Sequence, residues 1–548
     1  MARVHRASGG VAFAEEQKSE GPRATIRWPD LKAGDVVEVV IRAWTSGPVG
    51  RRGDPPFYFI DYAGALATHP LLYNDVVVDS EADHPLAVDV LNGKPDRMAD
   101  DTSGERRIVR MIWDRPVNVP DEPLAPRSAE VLPTIVGSTF GSWKDFREWY
   151  QAAVQGFTQP DDQMRRLAAQ LTKGRASRDD RVRAIFDFVA DDIRYVNYIS
   201  GEWWLPNRPQ QVLARRQGDC DDKAILLIAL LRALGIEATE VLVQTRLTGQ
   251  PSLLLSERTA IPLFDHGIAF LPGTNGSPGR WLDATSPQSR MGPLPAMDAR
   301  ALALFVSQGP PTMVRTPAGL PDEHGVDGTW TIRLSPTGAG DLDAIERHSG
   351  DHAYVLRTNL LEKDARAQWV EQNLVAGWFP AVEVDKSIDF DGDLAHGAAR
   401  VHYRAHSDGL ARREGDELVV PLAPASTMTS QLAPLVTRTL PVVLPTHTAP
   451  SHQTRILRIM PPEGFAAAEL PPGGEESGGE FGRAHLEIRR DPGRARAVLV
   501  KRTVVFDMST IPVQKYEAWR AWLQRIDALL HRSVRFAPVG ARAGSKGP

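Results

Sequence analysis

One stretch leaves this chain little freedom: from Ala224 to Leu234, in "GDCDDKAILLIALLRALGIEA", it is apolar almost all round. A helix without a polar face is a buried helix, so the fold must cover it on every side. Gly235 is a natural C-terminal stop. At the head stand Asp219, Cys220, Asp221 and Asp222, and Cys220 is the only cysteine in 548 residues. A single thiol excludes an intramolecular disulfide and a CxxC zinc site, and it leaves the compartment open.

Composition narrows the class. With 42% hydrophobic and 24% charged residues the chain is expected to fold, and its length calls for more than one domain. A net charge of −5 gives no reason to expect nucleic-acid binding. No run approaches the ~18 apolar residues of a membrane span. The basic start "MARVHRASGGVAFAEEQKSEG" lacks the apolar region of a signal peptide, so none is expected.

The organisation expected is a multidomain α+β protein. Residues 1–140 read as a β-sandwich-like module of short antiparallel strands, including "FYFIDY", "LYNDVVVD" and "RRIVRMIW", with an Asn92-Gly93 turn and a Pro-rich linker at its end. From 141 to 310 the period turns helical and then returns to strands, an α+β core. There Ser177 and Asp180 open a helix that sets Val182, Ile185, Phe186, Val189 and Ile193 on one face. Residues 325–536 read as a second β-rich module with a helical insertion. It closes on an amphipathic helix carrying Tyr516, Trp519, Leu523, Ile526 and Leu530 on one face. The tail, 537–548, is expected to be disordered.

A nucleophilic cysteine must be a thiolate or have a base that makes it one. The helix end contributes only about 0.3–1 kcal/mol towards that, so an imidazole is required. His266, in "PLFDHGIAFLP", and Asp283, in "RWLDATSP", follow in strand-like settings where a backbone can hold a geometry. Nucleophile, base and orienting carboxylate are the parts of an acyl-transfer triad. The Cys220 N–H would form an oxyanion hole with an upstream donor, for which Tyr198, Trp203 and Trp204 are candidates. Asp221 and Asp222 are expected to cap the helix. Spacing alone leaves two readings open: this triad, or a thiol buried as an inert core residue.

"GDCDDKAILLIALLRALGIEA", "FDHGIAFLP" and "WLDATSP", in that order, resemble the core of the transglutaminase-like superfamily. The resemblance implies a papain-like fold in which a cysteine-bearing helix packs on an antiparallel sheet bearing the histidine and aspartate. It implies Cys220, His266 and Asp283 as nucleophile, base and orienting acid. The flanks, "WPDLKAGDVVEVVIRAW" and "GSTFGSWKDFREWYQ", are similar to bacterial proteins with an uncharacterised β module ahead of such a domain and another after it. That group implies an envelope or periplasmic setting. The departures are Asp221, where members often have lysine, and a front module that lacks its first strands.

The implied activity is cysteine-dependent acyl transfer on peptide or carboxamide bonds through a thioester, with a peptide or protein as substrate and no cofactor or metal. The rival is an inactive scaffold that binds a protein partner through its β modules. "DFDGDLAHG" lacks the full ligand series of a calcium loop and reads as a β-turn.

Overall fold

The computed structural model describes all residues except 1, 21–22, 41–56, 85, 197–204, 248, 250, 257–258, 261, 275–276, 286–289, 307–311, 393–396, 495 and 540–548. Tyr198, Trp203 and Trp204, and most of the tail, therefore lie outside the described residues. The chain divides into two compact units, Met1–Pro55 and Pro56–Pro548. In the first, Ala2–His5 pairs antiparallel with Val11–Phe13 and Val36–Val39, and Glu16–Glu20 forms a hairpin with Arg23–Arg27.

The second unit opens with two small antiparallel sheets. Thr134–Ser138 is the central strand between Tyr58–Tyr62 and Ala87–Leu91. Arg106–Trp113 runs between Arg97–Ser103 and Asn74–Glu81. Strand alternation turns Val109, Met111 and Trp113 inward, where they meet Ile135. The Pro-rich stretch that follows is anchored rather than free. The carboxylate of Glu122 accepts hydrogen bonds from the backbone of Thr439 (2.7 Å) and Leu440 (3.0 Å) and from Nε of Arg438 (3.1 Å).

Among the helices of the middle of the chain are α1 (Asp162–Leu171), α2 (Arg178–Asp192), α3 (Pro209–Arg215) and α4 (Cys220–Ala233). Its strands are β1 (Thr239–Gln244), β2 (His266–Leu271), β3 (Arg280–Leu282), β4 (Leu302–Phe305) and β5 (Thr312–Arg315). They form one antiparallel sheet in the order β3-β2-β1-β4-β5. Helix α4 is the apolar one, and its neighbours explain why. Leu226 to Leu231 are fully buried between α1, α2 and α3 on one side and Ala269, Leu271 and Leu282 of the sheet on the other. At the start of α2 the Ser177 hydroxyl accepts from the Asp180 N–H at 3.0 Å, and all five apolar residues predicted for one face are buried. The far face of the sheet has its own core of Val241, Val243, Ile268, Ala301 and Ala303.

The last part is built on a nine-stranded sheet. Gly325–Leu334 pairs antiparallel with Gly340–Ser349 and parallel with Ser451–Met460. Helix α5 (Gly350–Asn359) follows directly from the second of these strands. The closing helix, α6 (Tyr516–Leu530), buries Tyr516, Trp519, Leu523, Ile526 and Leu530. The architecture is multidomain α+β. Among the described residues no helix is long and apolar enough to cross a membrane.

Candidate functional site

The site is built on the first turn of α4. Asp219 caps it: its carboxylate accepts from the Asp222 N–H at 3.0 Å, and Asp222 accepts in return from the Asp219 N–H at 3.3 Å. Asp222 is further held by the amide side chain of Asn207 at 3.0 Å. Cys220 is thus the first residue of a doubly clamped helix end. Arg194–Tyr195 pairs in parallel with Gln217–Gly218, which brings Tyr195 alongside.

Asp221 departs from expectation. It does not cap the helix but points into the sheet, against Gly267 of β2. A Cβ at Gly267 would lie 1.8 Å from its Oδ1, so only glycine admits it there. That buried Oδ1 has no hydrogen-bond partner.

The structure brings the three predicted residues together. The side chains of Cys220 and His266 lie side by side, close enough for each to act on the other's charge. His266 starts β2, and Asp283 follows the end of β3, the next strand over. The His266 ring presents Nε2 to Asp283 Oδ1 at 3.4 Å, an ion-pair contact that falls short of a hydrogen bond. Asp283 is steadied by the Thr285 N–H, which donates to it at 2.9 Å. Behind it lies Lys223, wholly buried and with no carboxylate partner among the described residues. Its ammonium donates to the carbonyls of Ile193 (2.8 Å), Ala190 (3.3 Å) and Thr285 (2.7 Å).

A fourth group belongs to the site and has no signal in the sequence. Asp298, in an irregular loop before β4, places Oδ2 3.8 Å from the same Nε2. It is fully buried, and neither of its oxygens has a hydrogen-bond partner. His266, Asp283 and Asp298 bring one nitrogen and two carboxylate oxygens within 4.8 Å of one another. At the surface, Glu81, Asp83 and His84 come equally close, an exposed set that is common in proteins without an ion.

Burial dominates the electrostatics. It pushes the Cys220 thiol up to about 11, with the Asp221 carboxylate adding to the rise and His266 opposing it. For His266, burial disfavours the charged ring, but Asp298 and Asp283 outweigh it and hold the imidazole well above its ordinary range. Burial raises Asp283 too, yet the His266 charge and the Thr285 contacts bring it below the usual carboxylate range. Asp219 and Asp221 are lifted by burial to about 6 and about 7. At rest the pair is therefore thiol beside imidazolium, and it becomes reactive on losing one proton. A cavity of about 450 Å³ runs along β3 just before Asp283, with Arg183, Trp281, Leu282, Met291 and Leu294 among its walls.

The model of the transglutaminase-like superfamily matches residues 165–259, which include Cys220. A crystal structure of a candidate protease from Parabacteroides distasonis shares the fold at a TM-score of 0.58 and 13% identity, over 98% of this chain and 88% of that one. A candidate cysteine protease from Cytophaga hutchinsonii overlaps at 16% identity, over 47% of this chain and 83% of that one; its TM-score of 0.19 is too low to bear on the fold. No curated protein matches the sequence.

Proposed function

This chain carries a transglutaminase-like domain, and on that premise we propose that it performs cysteine-dependent acyl transfer on a peptide or carboxamide bond. One observation carries the reading: the lone thiol, at a clamped helix end, lies beside a histidine that itself faces a buried aspartate. In the proposed cycle the Cys220 thiolate attacks the carbonyl carbon. His266 then gives its proton to the leaving amine, and a thioester remains on Cys220. The neutral ring next takes a proton from water or an acceptor amine, whose oxygen or nitrogen attacks the thioester. The acid or new amide leaves, and the proton returns to the pair. Asp283 holds the imidazole throughout. The Cys220 N–H, unused by the capping box, would face the oxyanion.

A peptide substrate and an envelope setting are proposed with it, both on the family resemblance. The test is turnover of a defined peptide mixture, with and without a primary amine, followed by mass spectrometry. Cleaved or amine-linked products that vanish in Cys220→Ala are the expected result. Products of equal yield in that variant would end the reading.

One observation favours a second reading, a scaffold that binds without catalysis: burial keeps the resting thiol far from its reactive form. That reading predicts an unreactive Cys220 and partner binding that Cys220→Ala leaves intact.

A further inference from the structure

Asp298 is unusual on three independent counts. Both its oxygens are buried without a hydrogen bond, which folded proteins rarely tolerate in a carboxyl. Its one near neighbour of opposite charge is the ring that faces the thiol. The loop that carries it is tied down on all sides. The Met297 carbonyl accepts from the Arg246 N–H at 2.7 Å, and Arg300 N–H donates to the Pro317 carbonyl at 3.1 Å. The Asp298 carbonyl accepts from the Thr316 hydroxyl. Ala296 N–H donates to Asp351 of α5 at 2.8 Å, so the C-terminal module helps to hold the loop. Packing alone gives no reason to aim a carboxyl at His266 from so firm a base.

We propose that Asp298 is a positioning residue of the site: beside Asp283, it faces Nε2 of His266 and holds the ring as an imidazolium while Cys220 becomes a thiolate. The inference rests on reading Cys220 and His266 as the reacting pair. Groups facing Asp298 are His266 and Asp283 from the sheet, Asp265 just before β2, and Asp351 from α5. His266 is also faced by Cys220 and Asp221 of α4 and by Tyr195, with Lys223 behind Asp283. Among these only Asp283 and Asp298 bring a carboxylate to Nε2. Burial lifts Asp298 to about 8, with His266 pulling the other way. It therefore becomes more fully ionised as the pH rises, when the thiol beside the ring must lose its own proton. A second carboxylate then delays deprotonation of the imidazolium, and the imidazolium in turn stabilises the thiolate.

The experiment is the pH dependence of iodoacetamide alkylation in Asp298→Asn, His266→Ala and the double variant, each checked by thermal unfolding. One cysteine makes the signal unambiguous. Asp298→Asn should move the Cys220 profile up by about one pH unit, in the direction of His266→Ala. It should add nothing in the His266→Ala background, because its effect runs through the ring. Asp298→Ser, which removes the same charge, should repeat the shift and serves where the Asn variant does not fold. A downward or absent shift, with His266→Ala still shifted, would overturn this inference alone. An equal shift in both backgrounds would overturn it too, since a merely structural residue behaves that way. If His266→Ala labels like the wild type, the Cys–His reading falls, and this inference with it.

Discussion

Cys220 is pulled in two directions by its neighbours, His266 lowering its pKa and Asp221 raising it. Replacing Asp221 by Asn keeps the shape against Gly267 and removes the charge. The thiol should then ionise earlier, by about one pH unit, and label about tenfold faster above pH ~8, where Asp221 carries its charge. Alkylation rates at fixed pH check this; an unchanged or slower rate would mean that Asp221 does not face the sulfur. At this scale the sequence was legible where chemistry sits on regular elements. Cys220 heads a helix, and His266 and Asp283 stand at strand ends, so their backbone settings were readable. Asp221 was misread as a cap because it shares the first turn with Asp222, and only the Gly267 gap shows which way it turns. Asp298 carries no pattern at all. It lies in an irregular loop, and its position depends on contacts with Arg246 and Asp351 that no local rule anticipates.

Helix α4 is the element that the rest of the core is built around, and Lys223 is its least expected part. An ammonium buried among three carbonyls joins the end of α2 to the turn after Asp283. Lys223→Ala should destabilise the protein by about 3 kcal/mol, from lost packing and charge-assisted hydrogen bonds. Burial also lowers this lysine from 10.5 to about 8. Between those values the unfolded chain holds the proton and the folded one does not, so this residue makes stability rise with pH in that window. Denaturant unfolding on either side of it should show the rise in the wild type and a smaller one in the variant. The helix itself was legible from its missing polar face, since such a helix has to be enclosed. The lysine was not, because one cation at the head of an apolar run reads as solvent-facing.

At the scale of the whole molecule, the Pro56–Pro548 unit is held together by ties between distant parts of the chain. Glu122 is the clearest, a nearly buried carboxylate satisfied by Arg438, Thr439 and Leu440. Its stretch read as a linker because proline and short strands look alike in a linker and in an anchored strap. Burial works against its charge, but the backbone and side-chain donors hold Glu122 below its ordinary value of 4.5. Its contribution to stability is therefore present above that pH and fades as the pH falls below it. Glu122→Ala should cost about 3 kcal/mol at neutral pH by leaving Arg438 buried and unpaired, and less in acid. Equal destabilisation at both pH values would argue against the tie. The broad α+β order was readable from where the hydrophobic period changes. The strap was not, because its partner lies in another module.

The central claim is that Cys220 and His266 act as one pair. The most direct measurement is the alkylation rate of Cys220 by iodoacetamide against pH, in the native protein and in His266→Ala. A profile that moves to higher pH in the variant is the predicted result, because the ring is the chief group opposing the raised thiol. Identical profiles, or labelling that begins only on unfolding in both proteins, would mean an inert buried cysteine and would contradict the account.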